Sequence, residues 1–423
     1  MRITKSKFLD TLAFAIAILW FVYIRVVGNL YISELLLFVV FVVMFKRHGN
    51  LLFEPLPKRV LLFGLLWLFS QIVTDLVRLT EFTSLLKGWA SIVFFLVGFS
   101  ALYMLVSDNS RRLKLFIIAF ALGGLLRCLI DPGYGFETEP WKFGFGFPVM
   151  LLTIFVVVWG IERRILIPFL GEVILLLMGG LSLYLNGRSL GGAIILAVLL
   201  FRFSKVRLFQ QLFLVRSNPV KKIGLILAVT GTVFLVLVCY QWAGESQILP
   251  EKAQYKYDIN KSSSLGTFGL ILGGRSELLA STPAVIDSPI IGHGSWAENP
   301  KYRAYLYEIG AILGTDKDQG NLERFMESKD SIPGHSHLMQ SWVWAGLLGA
   351  IFWIVVLKII ADSAMASMRF PTAWSILILF VSIKAVWDLL FSPFSSEMRM
   401  LWGWELILLL SVLTKTRKGG QGA

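Results

Sequence analysis

The sequence predicts an all-α polytopic membrane protein, and its composition and long apolar runs support this fold class. Of the 423 residues, 56% are hydrophobic and 16% are charged, whereas a soluble protein carries about 25% charged residues. The mean hydropathy is +0.72. Several apolar runs, such as WASIVFFLVGFSALYMLV, approach or reach the roughly 20 residues that a helix needs to cross a bilayer.

About twelve membrane-spanning helices are predicted from these runs. They lie near residues 8–27, 30–45, 60–77, 88–107, 115–131, 147–161, 166–185, 189–201, 223–242, 336–357, 372–390 and 398–414. The first run lacks a clear small-residue cleavage site, so we expect a retained helix rather than a removed signal peptide. The predicted organisation is helices one to nine in 1–243, a large loop in 244–335, helices ten to twelve in 336–414 and a basic tail in 415–423.

The distribution of cations predicts the orientation. With the N-terminus in the cytoplasm, the inward segments hold 23 Lys and Arg residues and the short outward connections hold 6. The positive-inside rule therefore places both termini in the cytoplasm and the large loop outside. The net charge of +13 is mostly this topology signal. The basic residues are scattered and form no single face with interleaved aromatics, which argues against nucleic-acid binding.

The large outward loop has sequence signals for helices of its own. In NPKYRAYLYEIGAILG, Asn299 suits a helix cap and Pro300 the first turn. GGRSELLAS and GNLERFMESK are expected to contribute two further helices. A connection this long is usually functional.

Polar residues on the outward side are the candidates for chemistry. Arg188 lies in a short turn, Arg275 in the large loop, and His335 and His337 open the tenth predicted span. Arginine offers a planar fork of donors that fits phosphate oxygens, and a histidine of near-neutral pKa can accept a proton from a hydroxyl. The alternatives are an arginine that reaches lipid headgroups, an ordinary loop cation and interfacial histidines. No Cys-x-x-Cys or Cys/His cluster suggests a metal site.

Charged pairs and tryptophans give further, less specific signals. Arg127 and Asp131 are four residues apart, as are Lys384 and Asp388, so each pair lies on one helix face. Each pair either serves function or holds the bundle together, and Asp388 is a candidate for lining an acceptor cleft. Trp242, Trp296, Trp402 and Trp404 suit the membrane interface or stacking on sugars. Asp316 to Asp318 imitates the Asp-x-Asp of nucleotide-sugar enzymes but is expected to be a solvated loop.

The histidine stretch carries a resemblance to a known family. HSHLMQSWVWAGLLG, from His335, resembles the O-antigen ligase signature of His, then Asn, Ser or Gln, nine residues and Gly-x-x-Gly. RSELL, from Arg275, resembles that family's Arg-x-x-x-Leu signature. PIIGHG, from Pro289, is similar to the Pro-x-x-Gly-x-Gly stretch of the wider ligase and polymerase superfamily. Arg188 resembles the family's other essential arginine by position.

The resemblance implies a glycosyltransferase similar in fold to the C-type membrane glycosyltransferases. Such an enzyme transfers O-antigen polysaccharide from undecaprenyl pyrophosphate to a sugar hydroxyl of the lipid A–core oligosaccharide. The reaction takes place at the periplasmic face of the bacterial inner membrane, among membrane lipids, and completes lipopolysaccharide. It needs neither metal nor cofactor.

In this interpretation Arg188 and Arg275 bind the pyrophosphate and His335 is the general base. His337 is the rival base, but the nine-residue count to Gly346 starts from His335. His293 is expected to be structural. An O-antigen polymerase, a protein O-oligosaccharyltransferase and a lipid-linked glycan transporter remain the alternatives. A transporter would place charges or broken helices at mid-membrane rather than gather polar residues at one face.

Overall fold

A computed structural model describes residues 2–26, 28–133, 135–207, 210, 227, 231, 234–235, 238–261, 276–313 and 331–420. The first helices are α1 (Arg2–Ile18), α2 (Ile32–His48), α3 (Pro55–Arg78), α4 (Phe82–Val106), α5 (Ser110–Ile130), α6 (Gly146–Glu162), α7 (Pro168–Tyr184) and α8 (Arg188–Ser204). They are followed by α9 (Glu251–Lys261), α10 (Ser276–Asp287), α11 (Pro300–Leu313), α12 (His337–Ala345), α13 (Leu347–Arg369), α14 (Ser375–Phe391) and α15 (Met398–Gly420). The predicted ninth span, GNLERFMESK and Asp316 to Asp318 lie wholly or largely outside the described residues.

Six helices in the described part of the chain are long and apolar enough to cross a membrane. They are Ile32–Phe53, Pro55–Arg78, Phe82–Val106, Ser110–Ile130, Trp141–Glu162 and Leu347–Arg369, two of which include a short 3₁₀ or π turn. The protein is therefore an all-α membrane protein with several spans, as the hydropathy predicted. The count of twelve and the side on which each loop lies stay predictions.

A short hairpin replaces the end of the predicted first span. The span was expected to reach residue 27, but α1 ends at Ile18 and strands β1 (Tyr23–Arg25) and β2 (Asn29–Tyr31) pair antiparallel. Ile24 is β-branched and Gly28 precedes Asn29, so strand and turn formers follow each other here. The tyrosines at positions 23 and 31 lie opposite each other, with ring centroids 5.7 Å apart.

The buried core lies where α3, α4, α13 and α15 pack together. Trp353, Trp402 and Trp404 are its largest side chains, and all three are 0% exposed. The prediction that Trp402 and Trp404 lie at the interface or stack on sugars is wrong, because α15 packs inside the bundle. Hydropathy cannot distinguish a helix face that meets lipid from one that meets other helices, since both are apolar.

One of the two predicted charged pairs is confirmed. Lys384 contacts Asp388 on α14, and its ammonium also lies 3.5 Å from Glu405. Asp388, the candidate for lining an acceptor cleft, is only 7% exposed. Its carboxylate is paired with Lys384 inside the bundle. Arg127 instead donates to both carboxylate oxygens of Glu397, at 2.7 and 2.5 Å. The distant carboxylate offers a bidentate geometry, which outweighs proximity in sequence.

The predicted tenth span, 336–357, is two helices rather than one. The chain breaks at Gly346, between α12 and α13, where φ is +74°. A Cβ on Gly346 would lie 1.9 Å from the carbonyl oxygen of Ile290, so another segment occupies the space beside the break. An apolar pattern does not reveal such a break, because both helices remain hydrophobic.

We expect Gly346→Ala to destabilise the protein strongly. The φ of +74° and ψ of −159° at Gly346 define a conformation that is essentially restricted to glycine. It costs a residue with a Cβ about 1–3 kcal/mol, and the clash with Ile290 adds to this. Thermal unfolding in detergent should show a lower Tm. Gly192→Ala is the matched control, because a Cβ at Gly192 in α8 meets nothing within 4 Å; it should leave Tm unchanged or raise it. An unchanged Tm for Gly346→Ala would contradict the role of the break.

Candidate functional site

The two histidines of the tenth span have separate environments. His335 is exposed and lies two residues before the first residue of α12. His337 is that first residue and is 0% exposed. Ser336, between them, caps the helix by accepting from the Met339 amide at 3.2 Å and donates to the Leu389 carbonyl at 3.0 Å. His335 therefore precedes α12 and His337 begins it, and the two imidazoles lie in different surroundings.

His337 is held inside the bundle by aromatic rings and one backbone carbonyl. Its ring centroid lies 4.9 Å from that of Trp353 and 5.5 Å from those of Phe394 and Trp402. Nδ1 lies 2.5 Å from the Ser392 carbonyl oxygen. Among the described residues Nε2 has no hydrogen-bond partner. These surroundings leave no room for a substrate hydroxyl, so His335 is the accessible histidine of the pair.

Arg188 is the first residue of α8, and three residues separate it from the end of α7 in the chain. Its guanidinium carbon is 5.0 Å from the ring centroid of Tyr240, and Nη2 lies 3.5 Å from the Ala253 carbonyl oxygen of α9. Asn186, with φ +62°, shapes the turn and donates to Glu139. The short turn predicted from the sequence is present, and it meets the large loop at α9.

Arg275 lies outside the described residues. Helix α10 begins at Ser276, directly after it, so a helix starts in GGRSELLAS as expected. Asn299 accepts from the Lys301 amide at 3.0 Å, so the predicted start of α11 at Pro300 is also confirmed. The contacts that position Arg188 and those around Ser336 and His337 involve different elements.

A segment of the large loop, residues 288–296, packs against the break at Gly346; we call it the docking segment. It contains the Pro-x-x-Gly-x-Gly stretch. The amides of His293 and Gly294 donate to the carbonyls of Val343 and Trp344, at 2.7 and 3.1 Å. Leu347 donates from its amide to the Ile290 carbonyl at 3.1 Å. The Pro-x-x-Gly-x-Gly stretch and the histidine motif therefore contact each other through backbone hydrogen bonds.

The docking segment completes the hydrogen bonding at the end of α12. The last four carbonyls of a helix have no partner within it. Here Trp342 and Val343 accept from the amides of Gly346 and His293, at 2.8 and 2.7 Å. Trp344 accepts from the Gly294 amide, and Ala345 accepts from the Ser70 hydroxyl of α3 at 2.6 Å. A buried helix can therefore end in the bundle without unsatisfied carbonyls.

The carboxylate of Asp75 joins the docking segment to α3. Asp75 is 1% exposed. Oδ1 accepts from the Ser295 amide at 2.6 Å and the Thr80 hydroxyl at 2.9 Å. Oδ2 accepts from the Ser295 hydroxyl at 2.7 Å, Trp89 Nε1 at 2.8 Å and Gln71 Nε2 at 3.3 Å. Five donors on one buried carboxylate make it a strong structural site.

Sequence reasoning missed this polar face of α3. Gln71, Thr74, Asp75 and Arg78 are spaced by three or four residues, which puts them on one side of an otherwise apolar helix. Thr74 donates to the Ile291 carbonyl, and Arg78 donates to the Gly292 carbonyl at 2.9 Å. That spacing was the signal that could have revealed them, because polar groups in a span normally face protein.

His293 is structural, as expected. Its Nε2 lies 2.7 Å from the Ala284 carbonyl oxygen of α10, and its ring packs against Tyr302 of α11 with centroids 5.3 Å apart. Burial lowers the pKa of His293 below its usual value, and nearby Arg78 contributes in the same direction. The imidazole is therefore neutral at pH 7. Hydrogen bonds from Lys301 and Tyr302 lower the pKa of the neighbouring Asp287 carboxyl.

No family model matches this chain, and neither the curated proteins nor the solved structures include a match. Within the described residues no group of three or more His, Cys, Asp or Glu side chains could hold a metal ion. The site is therefore described from its own geometry. The exposed His335 precedes α12, which is capped by Ser336 at its start and hydrogen-bonded to the docking segment at its end.

We expect Asp75→Asn to loosen the loop from the bundle. The amide nitrogen cannot accept from Ser295 or Trp89, and loss of a charged acceptor costs roughly 1.5–3 kcal/mol. Tm in detergent should fall, and limited proteolysis should cleave the loop faster. Asp362→Asn is the matched control, since Asp362 pairs with Lys358 at the surface. Equal proteolysis of Asp75→Asn and wild type would contradict the proposed attachment.

We expect the packing around His293 to weaken in acid. Its folded-state pKa lies below the unfolded value of about 6.5, so the unfolded chain takes up the proton first as pH falls. The stabilisation is present above about pH 6.5 and is lost below it. The drop in Tm between about pH 8 and pH 5 should be smaller in His293→Gln than in wild type. Identical drops would contradict this.

Proposed function

We propose that this protein is an O-antigen ligase, a metal-independent inverting glycosyltransferase. It transfers O-antigen polysaccharide from undecaprenyl pyrophosphate to a sugar hydroxyl of the lipid A–core oligosaccharide. One observation carries the proposal. The Pro-x-x-Gly-x-Gly stretch and the Gly-x-x-Gly of the histidine motif are distant in sequence, yet they pack together at the helix whose start presents His335.

The proposed roles follow from chemistry and exposure. His335 is the general base because its imidazole is exposed, whereas His337 is enclosed by Trp353, Phe394 and Trp402. Arg188 binds the pyrophosphate together with Arg275, since two guanidinium groups match its oxygens and its charge. Moving from Tyr240 and Ala253 onto a phosphate would exchange weak contacts of Arg188 for strong ones.

The proposed reaction is a single in-line displacement. The acceptor hydroxyl oxygen forms a bond to the anomeric carbon of the donor sugar, and the bond from that carbon to the pyrophosphate oxygen breaks. The hydroxyl proton passes to His335, which releases it to solvent. Undecaprenyl pyrophosphate leaves with the electron pair, and the arginines stabilise the charge that develops on it. No metal or cofactor is needed, because the donor carries its own leaving group.

The proposed setting is the bacterial inner membrane, with both termini in the cytoplasm and the site in the periplasm. The excess of cations in the predicted inward connections supports this orientation. The contact of Arg188 with Ala253 of α9 also supports it, because it brings a predicted outward turn against the predicted outward loop.

We expect His335→Ala to lose transfer while it keeps its fold and its donor binding. General base catalysis contributes about 10²–10⁴-fold, so transfer by the purified variant should fall by at least about 100-fold. Tm should not change, because His335 is exposed. His48→Ala is the matched control, a histidine on the predicted cytoplasmic side. A wild-type rate for His335→Ala would contradict its assignment as base.

The same variants test the reaction in cells. A strain that lacks the gene should make core without O-antigen while long chains accumulate on the carrier lipid. Plasmid-borne wild type and His48→Ala should restore the lipopolysaccharide ladder on a gel, and His335→Ala should not. A deletion strain whose core carries a single repeat would indicate a polymerase and contradict the ligase proposal.

A further inference from the structure

Trp296 is an exposed tryptophan held in an unfavourable backbone conformation. Its side chain is 49% exposed, and its φ is +56°. A left-handed conformation is a genuine outlier for a bulky residue and costs about 1–2 kcal/mol. Such outliers persist where the surroundings determine them, and they concentrate at functional sites.

The neighbours of Trp296 impose this conformation from both sides. Ser295 is fixed by Asp75, which accepts from its amide at 2.6 Å and from its hydroxyl at 2.7 Å. Ala297 accepts from the Ile332 amide at 2.9 Å. The residues on either side are therefore held by hydrogen bonds, which fixes the position of the Trp296 backbone.

The surroundings of the indole combine a second aromatic ring with a cation. The ring of Trp344 on α12 lies 5.0 Å away between centroids, at an interplanar angle of 38°. The ammonium of Lys87 on α4 lies 5.8 Å from the Trp296 ring centroid, and Lys87 is exposed. A flat apolar surface beside a positive charge suits a ligand with an apolar face and an anionic group.

A short stretch of chain connects this surface to His335. Glu298 and Ser331 form a β-bridge next to the hydrogen bond from the Ile332 amide to the Ala297 carbonyl. Ile332 precedes His335 by three residues, a chain length of about 11 Å at most. The aromatic surface and the proposed base therefore stand within the reach of one short oligosaccharide.

We propose that Trp296 and Lys87 form a binding subsite for an anionic sugar of the acceptor oligosaccharide. The indole stacks on the apolar face of a sugar ring, and the ammonium binds a phosphate or carboxylate carried by that sugar or its neighbour. This inference rests on the proposed function. The bound glycan is assigned as the acceptor, and not the donor, because the proposed base His335 acts on the acceptor hydroxyl.

Direct binding tests the subsite without requiring transfer. The probe is a deacylated, phosphorylated core oligosaccharide, titrated by calorimetry into the detergent-purified protein. Trp296→Asn removes the ring, and asparagine tolerates a positive φ, so this variant should keep or raise Tm. We expect its Kd to rise at least 10-fold, a loss of about 1.4 kcal/mol, whereas Trp296→Tyr should keep most of the affinity.

The cation and a matched tryptophan provide the controls. Lys87→Gln should bind the phosphorylated probe more weakly, and both Lys87→Gln and wild type should bind a dephosphorylated probe equally. Trp159→Ala removes another exposed tryptophan, 44% exposed and on the predicted cytoplasmic side, and should bind as wild type does. In the transfer assay Trp296→Asn should raise KM for the acceptor and leave kcat unchanged.

Two outcomes would overturn the subsite. Wild type could fail to bind the probe, or Trp296→Asn could bind it as wild type does, which would leave Trp296 as a residue of the membrane interface. Failure of the proposed function has a different signature, since wild type would then transfer no glycan whatever its affinity for the oligosaccharide.

Discussion

The hydrogen bonds to the Asp75 carboxylate are the interaction that joins the docking segment to the helices of the described structure. The carboxylate is buried on α3, and its five donors come from α3 itself, from the segment that follows α3, from α4 and from the docking segment. A buried charge is costly unless it is fully hydrogen-bonded. The hydrogen bonds from Ser295 to Asp75 fix the docking segment to the bundle. The docking segment in turn donates to the last carbonyls of α12, which allows this helix to end at Gly346.

The fold class and local helix signals could be predicted from the sequence, because composition and capping act over a few residues. Asn299 capped α11 as expected, and Lys384 met Asp388 one helical turn away. The break at Gly346 and the burial of Trp402 could not be predicted, since they depend on segments far away in the chain. Of the candidate site, the burial of His337 depends on the Ser392 carbonyl just after α14 and on Trp402 of α15, which no local pattern reveals.

The glycines of the Pro-x-x-Gly-x-Gly stretch are explained by close packing and not by a role in a reaction. A Cβ on Gly292 would lie 2.7 Å from the Gly346 amide nitrogen, and one on Gly294 would lie 2.4 Å from the Thr80 hydroxyl. Gly292 brings the docking segment against the backbone at Gly346, and Gly294 brings it against the side chains of Thr80 and Asp75. Only glycine permits such close approaches. The glycines therefore allow the two segments to meet, whereas His335 is the exposed residue of the histidine motif.

The attachment of α3 to the loop also sets an order of biogenesis. Ser295 follows Asp75 by 220 residues. At about 5–20 residues per second, the ribosome needs roughly 10–40 s to make that stretch. During this time α3 is inserted with a carboxylate that lacks two of its donors. The hydrogen bonds between α3 and the docking segment can form only after the docking segment has been made, so a chain that stalls before Ser295 leaves the carboxylate of Asp75 without two of its donors.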